Sequence, residues 1–401
     1  MRTPSAPGAS VRSDLESFRA FETTTRIEER SIPYFTNEFW TSRQRQAHSL
    51  HEISYRACFK PQLPRFFIDR LTEPGDVVYD PFMGRGTTPL EAAFAGRTPI
   101  GNDVNPLSAM LVSPRLDPPR LEEIRARLGE IDWSGGEETP EELGVFYHLE
   151  TLREIAALRA HLAGRRLDRA DAWIRMVALN RLTGHSPGFF SVYTLPPNQA
   201  ASARAQRKIN SDRGQRPPRR VVPDLILKKS RALLSDCDEA TRATLCSARE
   251  RAQFPTGPAR STPEIADRSV RLVVTSPPFL DVVDYAGDNW LRCWFAGIDP
   301  TQVPITMEKS LDGWSAAMGK VFTELERVLA PGGWIAFEVG EVRGGRVRLD
   351  EHVLPLAREA GLAPWGVVLN QQQFTKTANC WGVSNNTKGT NTNRIVLIRK
   401  G

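Results

Sequence analysis

Cysteine is scarce in this chain: five residues in 401, at positions 58, 237, 246, 293 and 380, an odd number with no Cys-x-x-Cys pair. Their scarcity and scatter exclude a disulfide framework and a zinc site built on paired thiolates. Histidine is almost as rare, with six residues. His48 and His51 stand close to Glu52, but no second histidine follows at metalloprotease spacing, so no metal is expected. Long apolar runs are missing too. No stretch approaches a membrane span, and the start Met1-Arg2-Thr3-Pro4-Ser5 lacks the apolar centre of a signal peptide, so a cytoplasmic protein is expected. Acids fall short of bases, 47 against 53, for a net charge of +6 and a pI near 9.2. That modest excess is compatible with a nucleic-acid partner.

What is present begins with a glycine turn. Val77-Val78-Tyr79-Asp80 is a short buried strand that runs through Pro81-Phe82-Met83 into Gly84-Arg85-Gly86-Thr87-Thr88, and a helix is expected from Pro89 to Ala95, closed by Gly96. Glycines at 84 and 86 let the backbone approach a ligand closely, and the helix start beyond them offers free N–H groups. A second strand, from Thr98 to Asn102, ends in Asp103, where a doubly wound sheet places an acid to hold ribose hydroxyls. The third glycine of the dinucleotide fingerprint is absent, and so is the lysine of a P-loop. An adenosine without a pyrophosphate is therefore the expected ligand, and S-adenosylmethionine fits.

A second motif follows the apolar run from Val270 to Val274. Thr275-Ser276-Pro277-Pro278-Phe279 ends a strand in a small hydroxyl, two prolines and an aromatic ring. The prolines fix φ and remove two donors, leaving a rigid turn with outward carbonyls, and Phe279 offers a face on which a base can stack. The amino nitrogen of a nucleobase is a poor nucleophile because its lone pair is delocalised into the ring. If Ser276 Oγ and the Pro277 carbonyl each accept one amino hydrogen, the nitrogen is drawn toward a pyramidal geometry and its lone pair becomes available. The plainer reading is a proline-terminated strand followed by a core phenylalanine.

Asp80-Pro81-Phe82-x-Gly84-x-Gly86-Thr87-Thr88 and Thr275-Ser276-Pro277-Pro278-Phe279 together resemble the paired signature motifs of the DNA amino-methyltransferases, the Ser-Pro-Pro-aromatic form being similar to the cytosine-N4 branch. The segment from His51 to Pro64 resembles the stretch that precedes the glycine motif in that family and packs over the methionine end of the cofactor. The resemblance spans roughly residues 34–110 and 265–400. It implies S-adenosylmethionine as cofactor, held by Phe59, Pro61, Asp80, Pro81, Phe82, Gly84, Gly86, Thr87 and Asp103. It implies DNA as substrate, with catalysis at Ser276, Pro277, Pro278 and Phe279; a partner restriction endonuclease is compatible with it. Two positions depart from the pattern. Gly257-Pro258 stands where many relatives carry Gly-Asp, and Arg271 stands where an acid is usual. None of the cysteines follows a proline, which argues against a cytosine-C5 methyltransferase and its Pro-Cys nucleophile. An adenine-N6 or RNA amino-methyltransferase and a silent nucleic-acid-binding relative are the alternatives.

The expected fold is α/β: a doubly wound, Rossmann-like methyltransferase sheet with a helical insertion. The expected parts are a flexible segment at 1–30, a cofactor-binding half at 31–112, a helical basic insertion for target recognition at 113–255 and a catalytic half at 256–401. Within the insertion, Thr139-Pro140-Glu141-Glu142 reads as a helix start, and the spacing of Leu143, Phe146, Leu149, Leu152, Ile155, Leu158 and Leu162 predicts one long amphipathic helix. Another is expected from Asp171 to about Leu182, followed by an aromatic loop at 185–197. Between 200 and 231 lie ten basic side chains against two acids, which suits contact with phosphates. Arg204, Arg207, Lys208, Arg219 and Arg220 are the candidate DNA contacts, with Gln206, Asn210, Ser211, Asn198 and Gln199 as candidates for base edges. Strands are further expected at 334–339, 365–369 and 394–398, with a long polar loop at 370–393.

Overall fold

A computed structural model of the chain describes residues 7–401 apart from 20–22, 30, 41–46, 56–57, 137–138, 195–199, 279–284, 305–307, 309, 343–345 and 372–391. Phe279, Asp281, Asp284 and most of the polar loop therefore lie outside the described residues. Ten strands occur among them: β1 (Thr25–Glu29), β2 (Ile32–Asn37), β3 (Val77–Asp80), β4 (Thr98–Gly101), β5 (Val270–Thr275), β6 (Leu329–Val339), β7 (Glu341–Val342), β8 (Val347–Arg348), β9 (Ala363–Gln371) and β10 (Thr392–Arg399). Eight of them form one sheet in the order β1-β2-β9-β10-β6-β5-β3-β4, and β7 and β8 pair separately. β4, β3, β5 and β6 run parallel, as do β2 and β9. β10 inserts antiparallel between β6 and β9. The chain leaves β3 outward to β4 and returns on its other side as β5, so the strand order reverses between β3 and β5. That is the switch point at which open α/β sheets bind ligands.

The central strands read as continuous apolar runs because helices cover both faces. In β5, Val273 packs into one core layer while Leu272 and Val274 pack into the other. The helix Leu311–Val328 lies on the Val273 side through Phe322 and Leu325, and the helix Gln62–Leu71 lies on the opposite side through Phe66 and Phe67. The chain is thus a Rossmann-like α/β protein with a mostly parallel sheet.

Three expectations about local structure change. Residues 1–30 do not hang loosely where they are described. A helix occupies Pro7–Glu16, its Val11 and Leu15 are buried against Phe66 and Trp334, and β1 pairs with β2. The long insertion helix is broken: a 3-10 turn spans Glu141–Val145 and the α-helix starts only at Leu149, where His148 caps it by accepting from the Glu150 N–H. Thr139 does not serve as the cap of that turn, which begins after Pro140 with no side-chain cap. Finally, the helix after the glycine turn begins at Thr87 rather than Pro89. Helices Leu121–Glu130, Arg169–Arg181, Ala203–Asp212, Val222–Leu233 and Glu239–Arg251 are the other α-helices of the insertion among the described residues. No helix among the described residues is long and apolar enough to cross a membrane.

Candidate active site

The two motifs emerge from the carboxyl ends of neighbouring strands and are bonded to each other. Thr275 Oγ1, the last residue of β5, donates to Asp80 Oδ1, the last residue of β3, at 2.6 Å. The same carboxylate accepts the Phe82 N–H at 3.1 Å. One turn further on, Thr88 Oγ1 donates to the Val274 carbonyl at 3.0 Å, tying the start of the cofactor-loop helix to the catalytic strand. Asp80 is buried, and burial drives its pKa up to about 7 against the hydrogen bonds from Thr275 and Phe82 that favour the anion. Asp80 is therefore the brace between the two motifs, set beneath the surface of the ligand cleft.

The glycine loop is held from below and beside. Gly84 and Gly86 both adopt positive φ, at 48° and 76°, conformations that cost a side-chain-bearing residue about 1–2 kcal/mol. Gly84 N–H donates to Asp103 Oδ2 at 2.9 Å, and Asn105 N–H donates to Oδ1 of the same group at 2.9 Å. Asp103 thus shapes the loop. A carboxylate has about four acceptor sites, so these two bonds leave it capacity for ribose hydroxyls. Burial raises its pKa as well. Asn102 Oδ1 beside it is a buried acceptor without a partner, while the Asn102 amide donates to Gly257 O at 2.9 Å. Gly257, at one of the two departures from the family pattern, pairs through its N–H with Asp103 O at 3.0 Å and borders the cleft by backbone alone.

Of the segment 51–64, Ile53 and Tyr55 lie against this loop. The Tyr55 ring would stand 3.5 Å from a Cβ on Gly84. Arg85 reaches back to the Ile53 carbonyl at 3.0 Å, and the fully buried Arg115 donates to the carbonyls of Arg85, Leu50 and Leu111. Phe59 packs on the sheet core beside Phe66, and Pro61 opens the helix Gln62–Leu71. Pro81 is buried, Phe82 half-buried and Thr87 buried. An orphaned acceptor at Asn102, residual acceptor capacity at Asp103 and a glycine-floored loop facing an aromatic ring fit an adenosyl ligand.

At the other motif Ser276 and Pro278 are half-buried and Pro277 is buried. The Trp314 indole N–H donates to the Pro278 carbonyl at 3.0 Å and so occupies that carbonyl inside the protein. Neither Trp314 nor the next neighbour, Glu338, is among the residues picked out from sequence. Glu338 lies on β6 beside the turn, since Thr275 pairs with Phe337, and its buried carboxylate accepts from Asn393 Nδ2 at 2.5 Å. The signal was a single acid in the apolar run Trp334-Ile335-Ala336-Phe337-Glu338-Val339. Trp314→Phe keeps an aromatic ring but removes one hydrogen bond, worth roughly 0.5–1.5 kcal/mol, and adds the packing loss of a smaller side chain at a buried position. The expected outcome is slower methyl transfer with unchanged cofactor affinity, checked by turnover and calorimetry; unchanged turnover would show that the turn does not depend on this anchor.

The basic segment is ordered and mostly helical. Arg204, Arg207 and Lys208 share the exposed face of the helix Ala203–Asp212, while Gln206 on its inner face is buried and donates to the Tyr193 carbonyl at 3.0 Å. Asn210 donates to Val145 O at 2.7 Å. Gln206 and Asn210, expected at base edges, therefore bond inward, Gln206 to the aromatic loop and Asn210 to the 3-10 turn Glu141–Val145. Arg219 is paired with Glu150 at 2.8 Å and with Glu154, and Arg220 is half-buried. Within the loop, Phe190 is fully buried in the insertion core. The helix Tyr285–Ala296, which follows the catalytic turn, carries Trp290, whose indole donates to Ala201 O at 3.1 Å, and Arg292, which donates to Ser54 O at 3.2 Å. One helix thus links the entry to the basic face with the segment over the cofactor loop.

A ligand loop and a rigid Ser-Pro-Pro turn at the switch point of a doubly wound sheet define an amino-methyltransferase type of site. Residues 18–109, which contain the whole glycine motif, match a family of N6/N4 methyltransferases described as DNA methylase. The Type II methyltransferase M.BsoBI of Geobacillus stearothermophilus is 22% identical over 281 residues, covering 64% of this chain and 54% of that protein. The Type II methyltransferase M.MjaII of Methanocaldococcus jannaschii is 31% identical over 83 residues, 21% of this chain and 15% of its own length. A solved TehB-like SAM-dependent methyltransferase from Corynebacterium glutamicum aligns over 84% of this chain and 87% of its own at 8% identity, with a TM-score of 0.32. The chain spans about half the length of M.BsoBI and less of M.MjaII. It is related to the Type II DNA amino-methyltransferases, in agreement with the resemblance its motifs carry.

Proposed function

We propose that this chain transfers a methyl group from S-adenosylmethionine to the exocyclic N4 of cytosine in DNA, in the cytoplasm. The observation that carries the reading is the Thr275–Asp80 bond, which fixes the Ser276-Pro277-Pro278 turn beside the glycine loop at the switch point. Asp103, Asn102, Gly84 and the Tyr55 ring would hold the cofactor, which supplies an electrophilic methyl on a sulfonium. Ser276 and Pro277 would orient a flipped-out base so that its amino nitrogen faces that methyl, and such positioning alone can supply several kcal/mol of the barrier. The serine at position 276 favours cytosine over adenine, as in the family branch that the Ser-Pro-Pro-aromatic form resembles. Nucleosides from unmethylated DNA incubated with protein and cofactor, resolved by mass spectrometry, test the proposal. N4-methylcytosine supports it, N6-methyladenine assigns the other amino group, and no methylated base on any DNA would sink it.

The exposed face of the helix Ala203–Asp212 is the proposed phosphate-binding surface. Replacing Arg204, Arg207 and Lys208 with alanine should weaken DNA binding for all sequences alike and flatten its salt dependence, by about 0.9 in slope for each phosphate no longer neutralised. Titrations at several salt concentrations check this, and cofactor affinity should not move. A wild-type salt slope in the triple variant would make this face a solvated surface.

A further inference from the structure

Ser276 has one hydrogen and two lone pairs. To accept a hydrogen bond from an incoming amino group, its own hydrogen must be placed elsewhere. Glu338 provides that place: it stands on the adjacent strand, one residue beyond the Thr275–Phe337 pair and so beside Ser276, is buried, and is held from the other side by Asn393. The carboxylate has no role in the transfer as proposed, and an acid in the middle of a sheet costs free energy unless it is paired or put to use. Resting on the amino-methyltransferase reading, we propose that Glu338 is a positioning residue that holds the Ser276 hydroxyl as an acceptor toward the target amino group.

The arrangement has a pH consequence. Burial lifts the Glu338 pKa to about 7, against the Asn393 and Ser276 side chains that favour its ionised form. Among the described residues, the charged groups nearby at these strand ends include Asp80, bonded to Thr275, and Arg394, which donates to Glu341 at 2.9 Å. Above pH 7 the carboxylate only accepts, so the Ser276 hydrogen points to it and the lone pairs face outward. Below pH 7 the protonated acid becomes a donor and competes for those lone pairs. Turnover should therefore rise with pH through the Glu338 titration. Asn393, the second residue of β10, favours the anion, so its removal should move that rise to higher pH.

The test uses the full chain, unmethylated DNA amplified in vitro and radiolabelled S-adenosylmethionine, with kcat and cofactor KM followed from about pH 5.5 to 9. Wild type, Glu338→Gln, Asn393→Ala, Ser276→Ala and the double variant Ser276→Ala/Glu338→Gln are compared. Expected are a roughly tenfold to hundredfold lower kcat in Glu338→Gln, up to the scale on which misplacing a reacting group costs rate, loss of its limb near pH 7, and unchanged cofactor KM. Asn393→Ala should keep the limb but at higher pH. In the Ser276→Ala background the glutamate change should cost nothing further. Independent, multiplying losses in the double variant, or a wild-type pH limb in Glu338→Gln, overturn the proposal. Absence of transfer by the wild-type protein would instead strike the functional reading beneath it.

Discussion

Ser276→Ala is expected to bind S-adenosylmethionine as the wild type does and to lose about a hundredfold or more of methyl transfer, the usual cost of deleting one group aimed at the reacting centre. The two halves of the expectation have separate structural causes. The cofactor loop is anchored through Thr275 to Asp80 and through Thr88 to the Val274 carbonyl, neither of which involves the Ser276 side chain. The amino group, by contrast, loses an acceptor that nothing else in the turn replaces in place, because the Pro278 carbonyl is already bound to Trp314. Single-turnover transfer with calorimetric cofactor affinity separates the two. Turnover at the wild-type level would remove the turn from the chemistry, and a large fall in cofactor affinity would mean that the turn serves binding.

Much of this site was legible because apolar runs and turn residues coincide. β3 and β5 are buried on both faces and end in residues with strong local meaning, so strand, motif and site announce each other. β4, β6, β9 and β10 were likewise visible, the last three each extended by the structure at one or both ends. The amino-terminal helix was not, since Val11 and Leu15 are a single i,i+4 pair in a polar stretch, too little to establish a period. The break at 146–148 hid for the opposite reason. Leu143 and Phe146 continue the three- and four-residue spacing of the helix beyond, and a 3-10 turn with three residues per turn keeps the same rhythm. Polar side chains carried the least information about direction. Gln206 and Asn210 look like base readers in a basic segment, yet they bond to carbonyls of Tyr193 and Val145. Arg219 looks like a phosphate contact and is held by two glutamates that lie 65 or more residues away in sequence. Glu338 acquires meaning only when β5 brings Ser276 beside it.

Gly86→Ala should strongly destabilise the cofactor loop. Gly86 has φ 76°, a conformation that costs an alanine about 1–2 kcal/mol. A Cβ built there would overlap the Val112 side chain, lying 3.0 Å from its Cβ. Val112 is fully buried among Leu107, Leu111 and Leu116 and has no room to retreat; overpacking of that kind costs roughly 1–3 kcal/mol more. The loop cannot give way cheaply either, since Gly86 N–H is bonded to Met83 O at 2.6 Å and the following helix is latched to β5 through Thr88. The expected result is a destabilisation of roughly 2–5 kcal/mol, the sum of those two costs, with cofactor affinity lowered at least tenfold. Gly84→Ala is the matched control. It has φ 48°, but its Cβ would meet only the Tyr55 ring at 3.5 Å, so it carries the conformational cost without the overlap. Adding Val112→Ala to Gly86→Ala should relieve the overlap and leave the φ cost together with the smaller loss from truncating a buried valine, bringing that variant's stability toward that of Gly84→Ala in denaturant melts. Should Gly86→Ala alone match Gly84→Ala, the packing against Val112 does not shape the loop, and the rigidity of the cofactor site must come from Asp103 and Arg115.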